Sequence, residues 1–433
     1  MKRRTLLTGA ASALAMPALP MPALAADNKP EKLVYVGDNG PWHFAMVEEV
    51  APAFEKETGI KIDFTLLPVD PWQARLKAEL NAGSSGIDIV QWSVGMAGWL
   101  NPHFDDQREV VVERIKKRDP DWNFDDFLAG AKTAATYQGK MNGIPYRTTT
   151  GIMHYQKYLL DQAGITKLPE TFAELQTAVL ACNKPPERYG FGLMGKQSSA
   201  ISNSFYAWLY SAGGRLIDFS TGEVFINNAA AVSALEFWSD LMVKYKAVPP
   251  DAITWEYEEI ISGAQRDRYA MCSSFAPYAT LMNDPQKSQT GGKWTWATMP
   301  GQNNKSEGRT WVDGHMLGVP KYSKNQDWAV EFIRMCCNQH FMYRSMVRGN
   351  APPRGSVLRE SDLVAKLGWP PIAAAAIETG IPTPAHPAYT TLEPALRAGL
   401  SQTLLGQKKP KEALDEVAAE WQRGLRRAGV KKA

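Results

Sequence analysis

The sequence predicts an α/β protein with more than one domain, on three observations. Its first ninety residues alternate strand-like and helical patterns. Its second half repeats that logic. Its 433 residues are enough for two or three domains and a large core.

The elements follow in order. Lys32–Val36 reads as a strand, and the Gly37–Pro41 turn leads into a helix that ends near Gly59. Residues 60–64 alternate apolar and polar, as a half-buried strand does. A helix spans Trp72 to Leu80, and Ile87–Val90 is the short apolar run of a buried parallel strand. This order places ligand loops at the carboxyl ends of the strands. Further on, Leu235, Trp238, Leu241, Met242 and Tyr245 share one helical face, with Asn227 and Asn228 as candidate caps. Leu414, Val417, Ala418 and Trp421 form a second stripe after Pro410, a good first-turn residue. Breaks rich in Pro and Gly fall near 143–145, 300–308 and 349–355.

The N-terminus is built for export. Lys2, Arg3 and Arg4 precede an Ala- and Leu-rich run that closes on Ala23-Leu24-Ala25, so cleavage after Ala25 is expected. The paired arginines before Thr5 also suit a twin-arginine route, and an ordinary secretory route stays open. No Cys stands at the cleavage point, so no lipid anchor is indicated. The expected compartment is the periplasm.

Bulk charge narrows the partners. The formal charge is +3, from 48 basic and 45 acidic residues. The export segment holds three of those bases, so the mature chain is near neutral and lacks the basic field that nucleic acid requires. No later run is apolar enough to cross a membrane, and a soluble monomer is expected. The four cysteines, Cys182, Cys272, Cys336 and Cys337, have no zinc-ligand spacing. Buried free thiols are expected, with a Cys182 or Cys272 disulfide as the alternative. No metal and no cofactor is expected. Gly190–Gly195 fits G-x-G-x-x-G, but Pro185 and Pro186 precede it and the motif itself reads as a strand, so it is not a nucleotide loop.

A series of short stretches resembles bacterial extracellular solute-binding proteins of family 1. In order they are Phe54–Lys61, Gly139–Tyr146, Tyr155–Leu175, Ser211–Gly214 with Asn227–Leu241, Lys321–Asn325 and Pro352–Leu358. Together they span nearly all of the mature chain. The resemblance implies the two-lobed periplasmic binding protein fold, type II-like, with the ligand in a cleft between lobes. It also implies delivery of a sugar or polyol to the membrane permease of an ABC importer. Three crossings between lobes are expected, near Pro145, Trp296–Pro300 and Asn350–Arg354. One lobe then holds residues 26–145 and 300–350, the other 146–299 and 351–433.

Candidate ligand contacts follow from this frame. After the first strand, Asp38 offers a polar contact and Trp42 a ring platform, unless the loop is an ordinary capped turn. The resemblance places Gln91 and Trp92 on the cleft wall, and Arg147 and Thr149 on its floor. Arg147 either clamps hydroxyl or anionic groups or forms a salt bridge across the hinge. Asn203 aligns loosely with ligand contacts. Phe275 or Tyr278 stands in for a Trp common among relatives. Asp313, Gly314 and His315 replace a Gly-Gly-aromatic pattern, and Arg354 is similar to a cleft-facing basic residue. Trp255 and Tyr389 are further aromatic candidates. The alternatives left open are an anionic solute or acidic sugar, and an exported carbohydrate-active enzyme using paired carboxylates such as Asp38 and Asp313.

Overall fold

The computed structural model describes residues 29–39 and 43–430, the side chains of Val69 and Asp70 excepted. The export segment, Gly40, Pro41 and Trp42 lie outside the described residues.

Nine strands form one curled sheet: β1 Lys32–Asp38, β2 Lys61–Leu67, β3 Ile89–Ser93, β4 Ile144–Gln156, β5 Tyr189–Gly192, β6 Tyr269–Phe275, β7 Trp294–Ala297, β8 Trp311–Gly318 and β9 Ile381–Pro382. The order across the sheet is β2-β1-β3-β8-β4-β6-β5, with β7 also pairing β4 and β9 pairing β8. β1 runs parallel to β2 and β3, as the apolar-run pattern predicts, while β8 lies antiparallel to both β3 and β4.

The expected helices are present. Ala51–Thr58 (α1) ends on Gly59, whose φ of 71° is left-handed and suits glycine at a helix end. Val69–Asn81 (α2) follows β2. Ala229–Val243 (α3) is capped by the Asn228 side chain, which accepts from Ala231 N at 2.9 Å. Pro370–Thr379 (α4), Tyr389–Leu404 (α5) and Pro410–Arg427 (α6) complete the C-terminal part. Pro410 stands in the first turn of α6, and Trp421 is fully buried on its inner face. Gly190 and Gly192 lie in a strand, so the G-x-G-x-x-G spacing comes from sheet packing. All four cysteines are free and buried.

β4 explains the architecture. Its residues 144–150 pair with β8 and its residues 151–156 with β6 and β7, and Ile144, Tyr146 and Ile152 pack in one hydrophobic core, Met153 and Tyr155 in another. At the bend, a Cβ added to Gly151 would stand 2.9 Å from Thr310 Oγ1, so glycine lets the two crossing strands touch. Buried residues change from one core to the other at Ile152/Met153, at Trp311/Val312 and between Ile377 and Tyr389, and Ala276 and Ala279 also join the first core. This moves the expected limits. Residues 300–308 form a turn on the second lobe, and residues 351–377 pack into the first core. The Pro/Gly breaks near 300 and 350 punctuate turns within a lobe.

One acid-sensitive group sits at this junction. His154 is fully buried in β4, with Nε2 3.3 Å from the Ser274 carbonyl, and burial pulls its pKa down to about 4. Below its ordinary value of 6.5 the unfolded chain takes a proton that the folded chain refuses. Stability is therefore expected to be flat above pH 6.5 and to fall by about 3 kcal/mol from this group as the pH drops toward 4. Urea melts at pH 7 and pH 4.5 measure the fall. A His154→Gln variant should show a shallower one, and equal slopes would refute the assignment.

Candidate functional site

The site is assembled where the carboxyl ends of β1 and β3 meet the two crossing strands. Asp38 ends β1, and its backbone N–H donates to Gln91 Oε1 of β3 at 2.8 Å. On the antiparallel ladder, Arg147 lies opposite His315, and Thr149 opposite Asp313. The ladder brings these strands close at Gly314, where an added Cβ would meet the Arg147 carbonyl at 2.4 Å. Only glycine fits there, and it lets Asp313 and His315 lie along Arg147 and Thr149.

A charge relay runs across this floor. Arg147 Nη1 is 3.1 Å from His315 Nδ1. A guanidinium can only donate, so Nδ1 accepts and the ring proton sits on Nε2. Nε2 points to Asp38 Oδ2 at 3.8 Å, and His43 Nδ1 approaches Asp38 Oδ1 at the same distance. Burial, with Arg147 and His43 nearby, holds His315 well below its ordinary pKa, so it is neutral. The Tyr35 and Tyr146 hydroxyls lie 3.1 and 3.4 Å from His43 Nε2. Tyr146 stacks near His315, and Trp72 of α2 meets it edge-on at 6.5 Å. Burial raises the Asp313 pKa, against hydrogen bonds from the Gly314 and Val94 N–H groups and the pull of Arg147.

The second lobe supplies an aromatic wall. Phe275 packs on Tyr257, Tyr278 and Trp311 at centroid distances of 5.4, 5.0 and 4.9 Å. Tyr257 OH is held by Ser199 Oγ at 2.8 Å and Asn203 Nδ2 at 3.5 Å. Tyr257 feels the Asp313 charge and Tyr278 that of Arg147, so this wall faces the floor.

Three buried polar atoms around the floor have no hydrogen-bond partner: Trp72 Nε1, Gln91 Nε2 and Thr149 Oγ1. A buried polar group left unmet costs about 1–3 kcal/mol. Among the described residues no cluster of His, Cys, Asp or Glu could hold a metal ion.

The structure thus gathers Asp38, Gln91, Arg147, Thr149, Asn203, Phe275, Tyr278, Asp313, Gly314 and His315. Trp42 lies outside the described residues. Four candidates belong elsewhere. Trp92 alternates to the opposite face of β3 from Gln91 and is fully buried, with Nε1 donating to the Asn142 carbonyl at 3.1 Å. Trp255 packs on Tyr269 and Arg268, with Nε1 on Asp251. Tyr389 is core, its ring against Trp421 and its hydroxyl on Tyr206. Arg354 is buried in the first core and fully engaged. It donates to the carbonyls of Cys337, Asn123 and Trp122 and pairs with Asp126 at 3.1 Å. Sequence reasoning missed His43, Trp72, Tyr146 and Tyr257. The placement of ligand loops at the carboxyl ends of strands was a signal for the first two.

A profile of the bacterial extracellular solute-binding proteins matches residues 44–338. A probable ABC transporter-binding protein of Deinococcus radiodurans is 25% identical over 343 residues, covering 77% of this chain and 78% of that one. The erythritol/L-threitol-binding protein of Mycolicibacterium smegmatis is 26% identical over 320 residues, 68% of this chain and 64% of that one. Among solved structures, maltose-bound T. maritima MalE3 superposes with a TM-score of 0.77 at 21% identity, covering 90% of this chain and 99% of that one. A solute-binding protein of Agrobacterium radiobacter in complex with ribitol gives 0.76 at 22% identity, covering 90% and 98%. These structural likenesses carry the two-lobed fold.

Proposed function

This chain belongs to the bacterial extracellular solute-binding proteins, and we propose that it captures an uncharged polyhydroxylated solute, a polyol or small sugar, for the permease of an ABC importer. The observation that carries the reading is the floor just described. Planar carboxylate, guanidinium and imidazole groups there surround three buried polar atoms that await partners. Hydroxyl groups both donate and accept, so a chain of them can meet Asp38, Arg147, Asp313 and His315 together. The C–H face of such a ligand suits the Tyr257 and Tyr278 rings.

The protein is proposed to work in the periplasm, as a monomer, without turning its ligand over. Trapping is a closure of two lobes about β4 and β8 that ligand favours by touching both. A thermal-shift screen tests the reading. Erythritol, ribitol, mannitol and maltose are set against glucuronate and free amino acids. A ligand at a hundred times its Kd stabilises the native state by about 2.7 kcal/mol. A shift from a neutral polyol or sugar, with that compound recovered unchanged, is expected. Shifts only from the anionic or amino-acid set, or consumption of the compound, would refute it.

Thr149 gives a finer test. Its hydroxyl is buried and unpartnered, so Thr149→Val should leave stability unchanged or raise it by about 1 kcal/mol. The same change should weaken the stabilising compound about three- to tenfold, because one hydrogen bond to it is lost. Unchanged affinity in calorimetric titration would remove Thr149 from the site.

A further inference from the structure

A second cavity lies away from the cleft, against the third crossing between the lobes. It has a volume of about 730 Å³ and opens to solvent. One wall is the crossing segment itself, with Ile381, Pro382 and Pro384. The opposite wall is second-lobe chain, including Leu216 and Phe219, and Phe219 stacks face to face on His386 at 4.3 Å and 8°. Ile381, Pro382, Pro384 and Phe219 give the cavity an apolar side beside its polar lining, and the volume is within the range of small-molecule sites, roughly 300–1,000 Å³.

The rim carries two guanidinium groups, of Arg215 and Arg309, and one carboxylate, of Glu307. Glu307 lies on it, but its carboxylate is taken by its own turn, accepting from Asn303 N at 2.8 Å and Asn304 Nδ2 at 2.7 Å. Arg215 pairs loosely with Asp218 at 3.5 Å and lies over the Phe225 ring. Arg309 is exposed, and among the described residues its guanidinium has no ion-pair or hydrogen-bond partner. An apolar side edged by a spare guanidinium is complementary to one kind of guest.

We propose that this cavity is a second ligand site, which takes a small organic anion with a flat apolar body, such as an aromatic carboxylate or sulfonate. The apolar body lies against Pro382, Pro384 and Phe219, and the acid group is forked by Arg309. Because one wall is the segment between α4 of the first core and α5 of the second, occupancy also props that segment and biases lobe opening. The site is separate from the polyol cleft and stands whether or not the cleft binds a polyol.

The probe is 1-anilinonaphthalene-8-sulfonate, an aromatic sulfonate whose fluorescence rises in an apolar site. Titration of the mature protein is expected to be saturable with one site per chain. Arg309→Glu should weaken it tenfold or more, Arg309→Lys less, and Arg147→Ala in the cleft not at all. Arg309 is exposed, so melting curves of its variants should match the wild type. Non-saturable fluorescence, or equal binding by Arg309→Glu and the wild type, overturns the proposal. So does loss of binding in Arg147→Ala with Arg309→Glu unaffected, which would put the probe in the cleft.

Discussion

Replacing Arg354 with alanine is expected to cost the fold about 3–5 kcal/mol, a large part of a typical domain's stability. The guanidinium sits in the first core, where it satisfies the carbonyls of Cys337, Asn123 and Trp122 and pairs with Asp126. It also lies 4.4 Å over the Phe127 ring and 5.2 Å over Trp122. Truncation leaves the buried carbonyls of Cys337 and Trp122 without this donor and takes the ion pair from Asp126, which keeps only Ser356. Ser356, and to a smaller extent Arg354, hold the Asp126 carboxyl below its ordinary range against burial, and the Arg354 share is lost as well. Urea melts should show the loss, while calorimetry on the folded fraction should show wild-type affinity. A stable variant with weakened affinity would return Arg354 to the cleft.

Arg147→Ala is expected to do the reverse. Its guanidinium fixes the His315 tautomer and lies close enough to Asp313 to offset part of the rise that burial gives that carboxyl's pKa. A hydrogen bond from a charged group is worth about 1.5–3 kcal/mol, so affinity for the stabilising compound should fall about ten- to hundredfold. The fall should exceed this single bond where the His315 ring turns and Asp38 loses its partner. The melting temperature without ligand should change little, because Arg147 is only partly buried at the cleft. Titration of the wild type and Arg147→Ala decides it, and equal affinities would exclude Arg147 from the site.

The contrast between these two arginines shows what the sequence made legible. Both follow a Pro-containing break, at Pro145 and at Pro352-Pro353, and both are expected in the cleft from the sequence. Arg147 lies in the long strand that crosses between cores, while Arg354 lies in a connector packed wholly within one. Pattern alone does not separate these cases, because Pro and Gly mark any sharp turn of the chain. The two residues Gln91 and Trp92 teach a related lesson. Neighbours on a strand face opposite sides, so one buried strand cannot offer both to one cleft. Gln91 reaches toward Asp38, which commits Trp92 to the core. In the second lobe Trp255 was expected and Tyr257, two residues on, faces the floor, since the Trp255 ring is taken by Arg268 and Tyr269. The strand-helix order and the caps at Gly59 and Asn228 were readable because each rests on local chemistry, whereas Asp313, Gly314 and His315 stood out only through the family resemblance. The second and third crossings were not readable, because they depend on which core a segment joins.

The central claim is that ligand lies on the floor shared by β1, β4 and β8. The most direct measurement is a crystal structure of the mature protein grown with the polyol or sugar that stabilises it most. The account predicts density for one ligand molecule in contact with Asp38, Arg147, Asp313 and His315, with Trp72 Nε1, Gln91 Nε2 or Thr149 Oγ1 now hydrogen-bonded to it. Density for that compound elsewhere on the protein, with the three polar atoms still unpartnered, would contradict it.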